Sequence, residues 1–396
     1  MQRPMLTRLS LVVAAAFALA ACGEKKADSP EPSAAPAEAA GQAQTVKLGF
    51  AAPLTGPQAH LGKDYQNGVM MAIEDANAEK PTIGGKPVKF ELVAEDDQAD
   101  PKVATQIAQK LVDQKIAGMI GHFNSGTSIP ASKIYHEARL PQIAMATAPA
   151  FTDQKYDTTF RSMTSDTQQG AVVGKFAVEK LGAKKIAIID DRTAYGQGLA
   201  DEFEKAAKAA GAEIVRREFT NDKATDFTAI LTGLKAASFD ALFYGGADAQ
   251  AAPMVKQMKR LGIKAPLLSG EMTRTPTFLK LAGTDAEGTI ASLAGLPLDK
   301  MPKGKEFETR FKAKFGQMEI YSPYGYDAVR TMIAAMKQAD SVEPAKYLPV
   351  LAKIEYAGVT SNKIAYDARG DLRDGGITVY KVEGGDWKVM ETIGGQ

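Results

Sequence analysis

The sequence has few of the side chains that usually carry metal or redox chemistry. It contains one cysteine, Cys22, and three histidines, His60, His122 and His136. A single thiol excludes a disulfide within the chain, and the histidines do not follow H-E-x-x-H or another zinc-binding spacing. The sequence therefore predicts no disulfide framework, no metal and no cofactor.

An excess of charge of either sign is also missing. The 48 lysines and arginines face 47 aspartates and glutamates, which leaves a net charge of +1. A nucleic-acid partner would require a basic surplus or stripe, so we expect none. The length of 396 residues exceeds what one hydrophobic core usually serves and suits two lobes.

Common catalytic motifs are absent as well. No G-x-G-x-x-G follows the first predicted strand, no G-x-x-x-x-G-K-[ST] occurs, and Ser125 lacks the G-x-S-x-G spacing of a hydrolase nucleophile. Asp96, Asp97 and Asp100 form an acidic cluster for which a metal site is one interpretation. The alternative, which we favour, is that Asp100 caps a helix that begins at Pro101. We therefore expect a protein that is not an enzyme.

The N-terminal segment has the features of an export signal. Residues 9–21 are apolar, follow two arginines and are too few to cross a bilayer comfortably, which predicts a signal peptide over residues 1–21. The tetrapeptide Leu19-Ala20-Ala21-Cys22 resembles a bacterial lipobox. We therefore expect cleavage before Cys22, lipid on its thiol and a periplasmic or otherwise extracytoplasmic protein anchored to the membrane. A plain signal peptide with an incidental cysteine is the alternative.

Residues 22–44 are rich in Ala, Pro, Glu and Ser, which predicts a flexible tether. After them, short apolar runs alternate with amphipathic segments, a pattern that predicts parallel sheets covered by helices. The predicted strands are 46–52, 88–95, 116–121, 142–146, 185–190, 213–219, 241–245, 267–270 and 289–293. The predicted helices are 64–78, 101–114, 129–138, 167–181, 198–210, 227–235, 251–261, 277–281, 305–315, 323–339 and 345–353. Residues 376–390 alternate about a Gly-Gly-Asp turn and predict a hairpin, with Trp387 as a packing residue on its second strand.

Ligands of doubly wound sheets gather beyond the carboxyl ends of the strands. Ser125 follows the third predicted strand, Thr147 follows the fourth, and Glu271 follows strand 267–270. The spacing places Ser125 at or just before a helix start, where free N–H groups and the helix dipole favour an anion. The alternative is that Ser125 only caps this helix. Two hydroxyls opposite an acid suit a zwitterion, with its carboxylate toward Ser125 and Thr147 and its ammonium toward Glu271.

Several phrases, taken in order, match a known family. They are Gly56-Pro57, Asp96-Asp97-Gln98-Ala99-Asp100-Pro101, Ile120-Gly121-His122, Pro130-Ala131-Ser132, Ala146-Thr147-Ala148-Pro149, Tyr195-Gly196-Gln197-Gly198 and Tyr244-Gly245-Gly246. From Thr45 onward the chain resembles the branched-chain amino-acid (leucine/isoleucine/valine) binding proteins of bacterial ABC importers. The resemblance implies the α/β fold of type I periplasmic binding proteins: two doubly wound parallel-sheet lobes joined by a three-segment hinge. It places lobe 1 at residues 45–162 and 297–373, and lobe 2 at residues 163–296 and the C-terminal hairpin 374–396.

The same resemblance implies a role for each site residue. Ser125 and Thr147 would hold the α-carboxylate of the ligand, with backbone help from Met145 and Thr147, while Glu271 would bind the α-ammonium. Tyr195 would cover the ligand from the second lobe. The residues implied near the ligand side chain are Phe123, Ala146 and Tyr321.

The chain departs from the family pattern at several positions. Ala247 and Leu61 stand where the leucine-binding relative has pocket aromatics, and Ala99 and Asn124 stand where it has a cysteine pair. The remaining pocket candidates are apolar or aromatic, so we expect a small neutral ligand, a branched-chain or other apolar amino acid.

The resemblance implies that the protein captures its ligand between the lobes and delivers it to the membrane permease of an ABC importer. We expect it to act as a monomer. The alternative is an envelope lipoprotein on the same fold that senses a ligand or regulates a partner protein without transport.

Overall fold

The computed structural model describes residues 43–395. The predicted signal peptide and the lipidation site Cys22 lie outside these residues, as does all but the end of the predicted tether. The first strand begins at Gln44, which the tether prediction had included.

Two sheets organise the described part of the chain. The first contains β1 (Gln44–Ala52), β2 (Thr82–Ile83), β3 (Lys86–Asp96), β4 (Gly118–Gly121), β5 (Gln142–Ala144) and β6 (Thr159–Arg161) in the order β2-β3-β1-β4-β5-β6. The second contains β7 (Lys185–Asp190), β8 (Glu213–Phe219), β9 (Ala241–Gly245), β10 (Leu267–Ser269), β11 (Ile290–Leu293), β12 (Ile377–Glu383) and β13 (Asp386–Ile393) in the order β13-β12-β11-β10-β9-β7-β8.

Most neighbouring strands in both sheets are parallel. Only β2 in the first sheet, and β12 and β13 in the second, pair antiparallel with their neighbours. These antiparallel strands lie at one edge of each sheet, where tight hairpins can join them. The predicted α/β class with two parallel-dominated sheets is confirmed.

Helices cover the sheets. They are α1 (Ala59–Ala78), α2 (Pro101–Asp113), α3 (Ser125–Glu137), α4 (Ala150–Asp153), α5 (Asp166–Glu179), α6 (Ala194–Ala209), α7 (Thr228–Lys235), α8 (Asp248–Arg260), α9 (Pro276–Ala282), α10 (Gly304–Phe315), α11 (Ser322–Gln338) and α12 (Pro344–Leu351). Within residues 43–395, no helix combines the length and the apolar character needed to cross a membrane.

The chain passes between the two sheets three times. It leaves the first sheet after β6, returns after β11 to place α10 and α11 beside α1 and α12 beside α11, and re-enters the second sheet at β12. We call β1–β6 with α1–α4 and α10–α12 lobe 1, and β7–β13 with α5–α9 lobe 2. The crossing segments near residues 162–164, 294–296 and 374–376 line a common cavity of about 50 Å³. The predicted lobe boundaries stay predictions.

Several element boundaries differ from the sequence prediction. The helices α1, α3, α6 and α8 begin three to five residues earlier than predicted. Their first turns contain glycine or small polar residues that do not continue the apolar period on which the prediction relied. The prediction also missed β2, β6 and α4, which have only two, three and four residues.

Other local predictions are confirmed. The side chain of Asp100 accepts hydrogen bonds from the N–H groups of Lys102 and Val103, and Pro101 is the first residue of α2. Trp387 lies on β13, is buried, and its indole N–H donates to the carbonyl of Thr275 at 3.1 Å.

Helices α1 and α11 pack closely at Gly68. A Cβ built on Gly68 would collide with the backbone carbonyl of Ser322, whereas a Cβ on Gly233 in α7 meets no atom within 4 Å. Both glycines have ordinary helical backbone angles, so they differ in the space around them.

We expect Gly68→Ala to destabilise the protein by about 1–3 kcal/mol, because overpacking against backbone cannot relax by a side-chain movement. Gly233→Ala is the matched control and should stabilise it by about 0.5–1 kcal/mol through helix propensity alone. Free energies of unfolding from urea titrations measure both effects. A stabilising Gly68→Ala would contradict the close approach of these helices.

Candidate functional site

A small cavity lies between the lobes at the carboxyl ends of their strands. Its volume is about 10 Å³, room for about one water molecule, so the two lobes nearly meet there. It is lined by Phe123, Asn124, Ser125, Met145, Thr147, Tyr195, Glu271, Met272 and Tyr321. Seven of the nine predicted ligand-binding residues are in this set, and Asn124 and Met272 are additions.

Ala146 and Ala247 are the two predicted site residues that the structure does not bring to the cavity. The side chain of Ala146 packs in a separate cluster with Ala144 and Phe151. Ala247 precedes the first residue of α8 and is buried in the core. The proposed pocket positions of these two side chains are therefore not seen in this conformation.

Ser125 is the first residue of α3, one position after the N-cap residue Asn124. The Oγ of Ser125 accepts a hydrogen bond from the N–H of Ala148 at 3.2 Å. This contact ties the loop after β4 to the loop after β5, and it leaves the hydroxyl hydrogen of Ser125 able to donate into the cavity. The interpretation of Ser125 as a cap alone is therefore wrong.

The loop that carries Thr147 is held by a buried arginine. Arg161 is fully buried in β6, and its guanidinium donates to the carbonyls of Ala146 at 2.6 Å and Ala148 at 2.9 Å. Its Nε donates to Asp371, which supplies the opposite charge. Arg161 thus fixes the carbonyl groups of the two residues that flank Thr147. This role of Arg161 cannot be predicted from the sequence, because a lone arginine in a three-residue strand shows no recognisable pattern.

Glu271 follows β10 and is 3% exposed. Its Oε2 accepts hydrogen bonds from the Tyr195 hydroxyl at 2.9 Å and from Gln169 Nε2 at 2.7 Å, and neither bond occupies Oε1. Burial raises the pKa of Glu271, and these hydrogen bonds only partly oppose that rise. A cationic group in the cavity would favour the ionised carboxylate and lower this pKa.

A second acid lies behind Glu271. Asp166, the first residue of α5, is fully buried, and its Oδ1 accepts a bond from the same Gln169 Nε2 at 3.1 Å. Burial and the nearby charge of Glu271 hold the pKa of Asp166 well above its usual range. In sequence Ser165-Asp166 resembles an ordinary helix start, so neither Asp166 nor Gln169 was predicted. The pair of acids makes this end of the cavity attractive to a cation.

His122 is a buried residue of lobe 1 that directly follows β4. Its ring nitrogens hydrogen-bond with Asp97 Oδ2 at 2.8 Å and with the Tyr135 hydroxyl at 3.1 Å. Asp97 also accepts from the N–H of Ala99 at 3.0 Å, and Asp96 accepts from the N–H of Leu54 at 2.8 Å. Asp96 and Asp97, two acids of the cluster for which a metal site was one interpretation, thus accept hydrogen bonds from loop N–H groups.

Two polar contacts join the lobes at the mouth of the cleft. His60 Nε2 of α1 lies 2.7 Å from Asp248 Oδ2 of α8. The Thr277 hydroxyl donates to Glu319 Oε1 at 2.7 Å. Burial lowers the pKa of His60, but the hydrogen bond and charge of Asp248 outweigh it, so the net shift is upward. These contacts exist only while the two lobes are together.

Comparison with known proteins agrees with this architecture. Residues 45–386 match the family described as periplasmic binding protein. A Leu/Ile/Val-binding protein homolog 2 of Brucella abortus is 35% identical over 327 residues, which cover 82% of this chain and 87% of the relative. A leucine-, isoleucine-, valine-, threonine-, and alanine-binding protein of Pseudomonas aeruginosa is 32% identical over 86% of this chain and 90% of the relative.

Solved structures give the same result. The leucine binding protein LivK of Thermotoga maritima superposes with a TM-score of 0.81 and 26% identity, covering 88% of this chain and 98% of that one. The branched-chain amino acid transporter substrate binding protein LivJ of Streptococcus pneumoniae, in complex with isoleucine, gives a TM-score of 0.79 and 26% identity over 89% and 100% of the two chains. Fold, cleft and sequence together show that this chain belongs to the periplasmic binding protein family, among the branched-chain amino-acid binding proteins of ABC transporters.

Proposed function

We propose that this protein is a lipid-anchored, extracytoplasmic substrate-binding protein that captures a small neutral amino acid and delivers it to the permease of an ABC importer. One observation carries the proposal. Hydroxyl and N–H donors at Ser125 and Thr147 face a buried acid, Glu271, across one small cavity. Such an arrangement complements the carboxylate and the ammonium of an α-amino acid at its two ends.

The walls between these ends favour an uncharged side chain. Phe123 and Tyr321 meet edge to face with ring centroids 4.7 Å apart, and Met145 and Met272 complete the lining. The lining residues include no lysine or arginine that would pair with an acidic ligand side chain. The names of the relatives, which include leucine, isoleucine and valine binding, support a ligand of this class.

Ligand exchange requires the lobes to separate. A cavity of about 10 Å³ is too small for any amino acid, so the ligand must enter a more open cleft. Three crossing segments allow rigid lobes to rotate about a hinge, and contacts from both lobes to the ligand would favour the closed form. A permease that binds the closed form could distinguish loaded from empty protein.

Removal of the acid should weaken binding strongly. Because a ligand ammonium would be left without its buried partner, Glu271→Gln should cost about 2–4 kcal/mol, roughly 30-fold to 700-fold in affinity. Ser125→Ala should cost about 1–3 kcal/mol, since the N–H donors of α3 remain. The wild-type affinity should also fall as the pH falls through the raised pKa of Glu271, and the Gln variant should lose that dependence.

Titration calorimetry with L-leucine, L-isoleucine and L-valine measures these effects. Glu306→Gln, an exposed position on α10, controls for removal of a charge far from the cavity. Unchanged affinity in a folded Glu271→Gln variant would mean that the ammonium is bound elsewhere or that the ligand has none.

The His60–Asp248 contact should make closure depend on pH. Because the pKa of His60 is raised only in the closed form, its extra stabilisation is fully present below the open-form pKa and disappears as the pH rises through the closed-form value. His60→Gln keeps a neutral donor but cannot titrate. We expect the wild type to bind ligand about threefold to tenfold more tightly than this variant at acidic pH, and equally at alkaline pH.

The ratio of the two dissociation constants at pH 5.5 and pH 8.5 tests this expectation, because effects of Glu271 cancel in it. His136→Gln is a suitable control, since His136 stacks on Tyr156 within lobe 1. The same ratio at both pH values would show that His60 does not act as a closure contact.

Membrane anchoring rests on the sequence alone. Since Leu19-Ala20-Ala21 precedes the only thiol, Cys22→Ala should leave the precursor uncut or release the protein from the membrane, whereas Ser29→Ala should change nothing. Fractionation of bacteria that produce the full chain, with mass spectrometry of the N-terminus, measures both outcomes. A processed Cys22→Ala protein in the membrane pellet would rule out the lipid anchor.

A further inference from the structure

Two buried polar atoms in the cavity lining have no hydrogen-bond partner among residues 43–395. They are the hydroxyl of Tyr321 and Oδ1 of Asn124. Tyr321 is 1% exposed, so solvent does not satisfy its hydroxyl. A buried donor or acceptor without a partner costs about 1–3 kcal/mol, which makes both atoms candidates for contact with a ligand.

The ring of Tyr321 is held in place on several sides. The carboxylate of Asp64 accepts hydrogen bonds from the N–H groups of Tyr321 at 2.7 Å and Ser322 at 2.9 Å. Phe123 packs against the ring at an interplanar angle of 83°. These contacts hold the backbone at the start of α11 and one side of the ring, and the hydroxyl is buried.

Asn124 is oriented by a contact on its other side. Its Nδ2 donates to Gln58 Oε1 at 2.7 Å, which fixes the amide plane and leaves Oδ1 as an acceptor.

Burial, together with the charges of Glu271 and Asp248, raises the pKa of Tyr321 well above its usual range. Tyr321 therefore remains a neutral hydroxyl that can donate and accept.

We propose that Tyr321, assisted by Asn124, makes the site selective for an amino acid with a small hydroxyl-bearing side chain, such as threonine, over its apolar isostere valine. The inference rests on the proposed amino-acid function. A ligand hydroxyl would donate to Asn124 Oδ1 and accept from the Tyr321 hydroxyl. Valine has the same branched shape but would leave both protein atoms unsatisfied, and sites with hydrogen-bonding groups discriminate most strongly against ligands that lack the matching group.

The test compares L-threonine with L-valine by titration calorimetry on the mature protein. In the wild type we expect threonine to bind about tenfold more tightly than valine. Tyr321→Phe keeps the ring packing and removes only the hydroxyl, so the ratio should fall to about threefold, the part of the preference that Asn124 Oδ1 retains. Tyr324→Phe is the matched control: its hydroxyl is also buried without a partner, but it lines the cavity between the crossing segments instead. That substitution should leave the ratio unchanged.

The possible outcomes separate the inference from the proposed function. If leucine, isoleucine or valine binds and threonine binds no more tightly than valine, the inference is overturned and the amino-acid function stands. A threonine preference that is undiminished in Tyr321→Phe assigns selectivity to another group and overturns the role of Tyr321. If none of these amino acids binds the folded wild type, both the inference and the proposed function fail.

Discussion

The structure of the site depends on one electrostatic constraint, the burial of the Glu271 carboxylate away from water. Burial makes the ionised form costly, and Tyr195 and Gln169 only partly compensate. The nearby Asp166 adds a second acid that shares the Gln169 amide. A cation between the lobes relieves both acids at once. The closed form without a cation therefore carries a high electrostatic cost. A cationic group at this end of the cavity would bind correspondingly favourably.

Two other buried charges act on the backbone that surrounds the proposed ligand position. Arg161 binds the carbonyls on either side of Thr147, and Asp64 binds the N–H groups at the start of α11, which carries Tyr321. Each charge is satisfied by several directed hydrogen bonds, as buried ions require. Both therefore act as positioning groups. They fix the cavity-lining residues in advance, and such preorganisation lowers the entropy lost when a ligand is bound.

Much of the architecture could be predicted because the strands and helices are long or regularly spaced. Ser125, Thr147 and Glu271 follow β4, β5 and β10, whose carboxyl ends meet at the cavity, whereas the other predicted lining residues came from the family resemblance. Ala146 shows the limit of the resemblance, which had implied it near the ligand side chain. It follows β5, where successive side chains point to opposite faces, so Met145 and Thr147 reach the cavity while Ala146 packs on Phe151. The start of α8 likewise directs Ala247 into the core.

The sequence by itself determined the alternation of strands and helices, the two-lobed class and the residues at the strand ends, because hydrophobic periodicity and chain order encode these features locally. Only the tertiary structure decided which polar side chains would meet. Gln169 and Glu271 are 102 positions apart, and His60 and Asp248 are 188 apart. The buried contacts of Arg161, Asp166 and Tyr321 depend likewise on which elements pack together. Contacts between distant segments arise from packing, for which a single sequence shows no local signal.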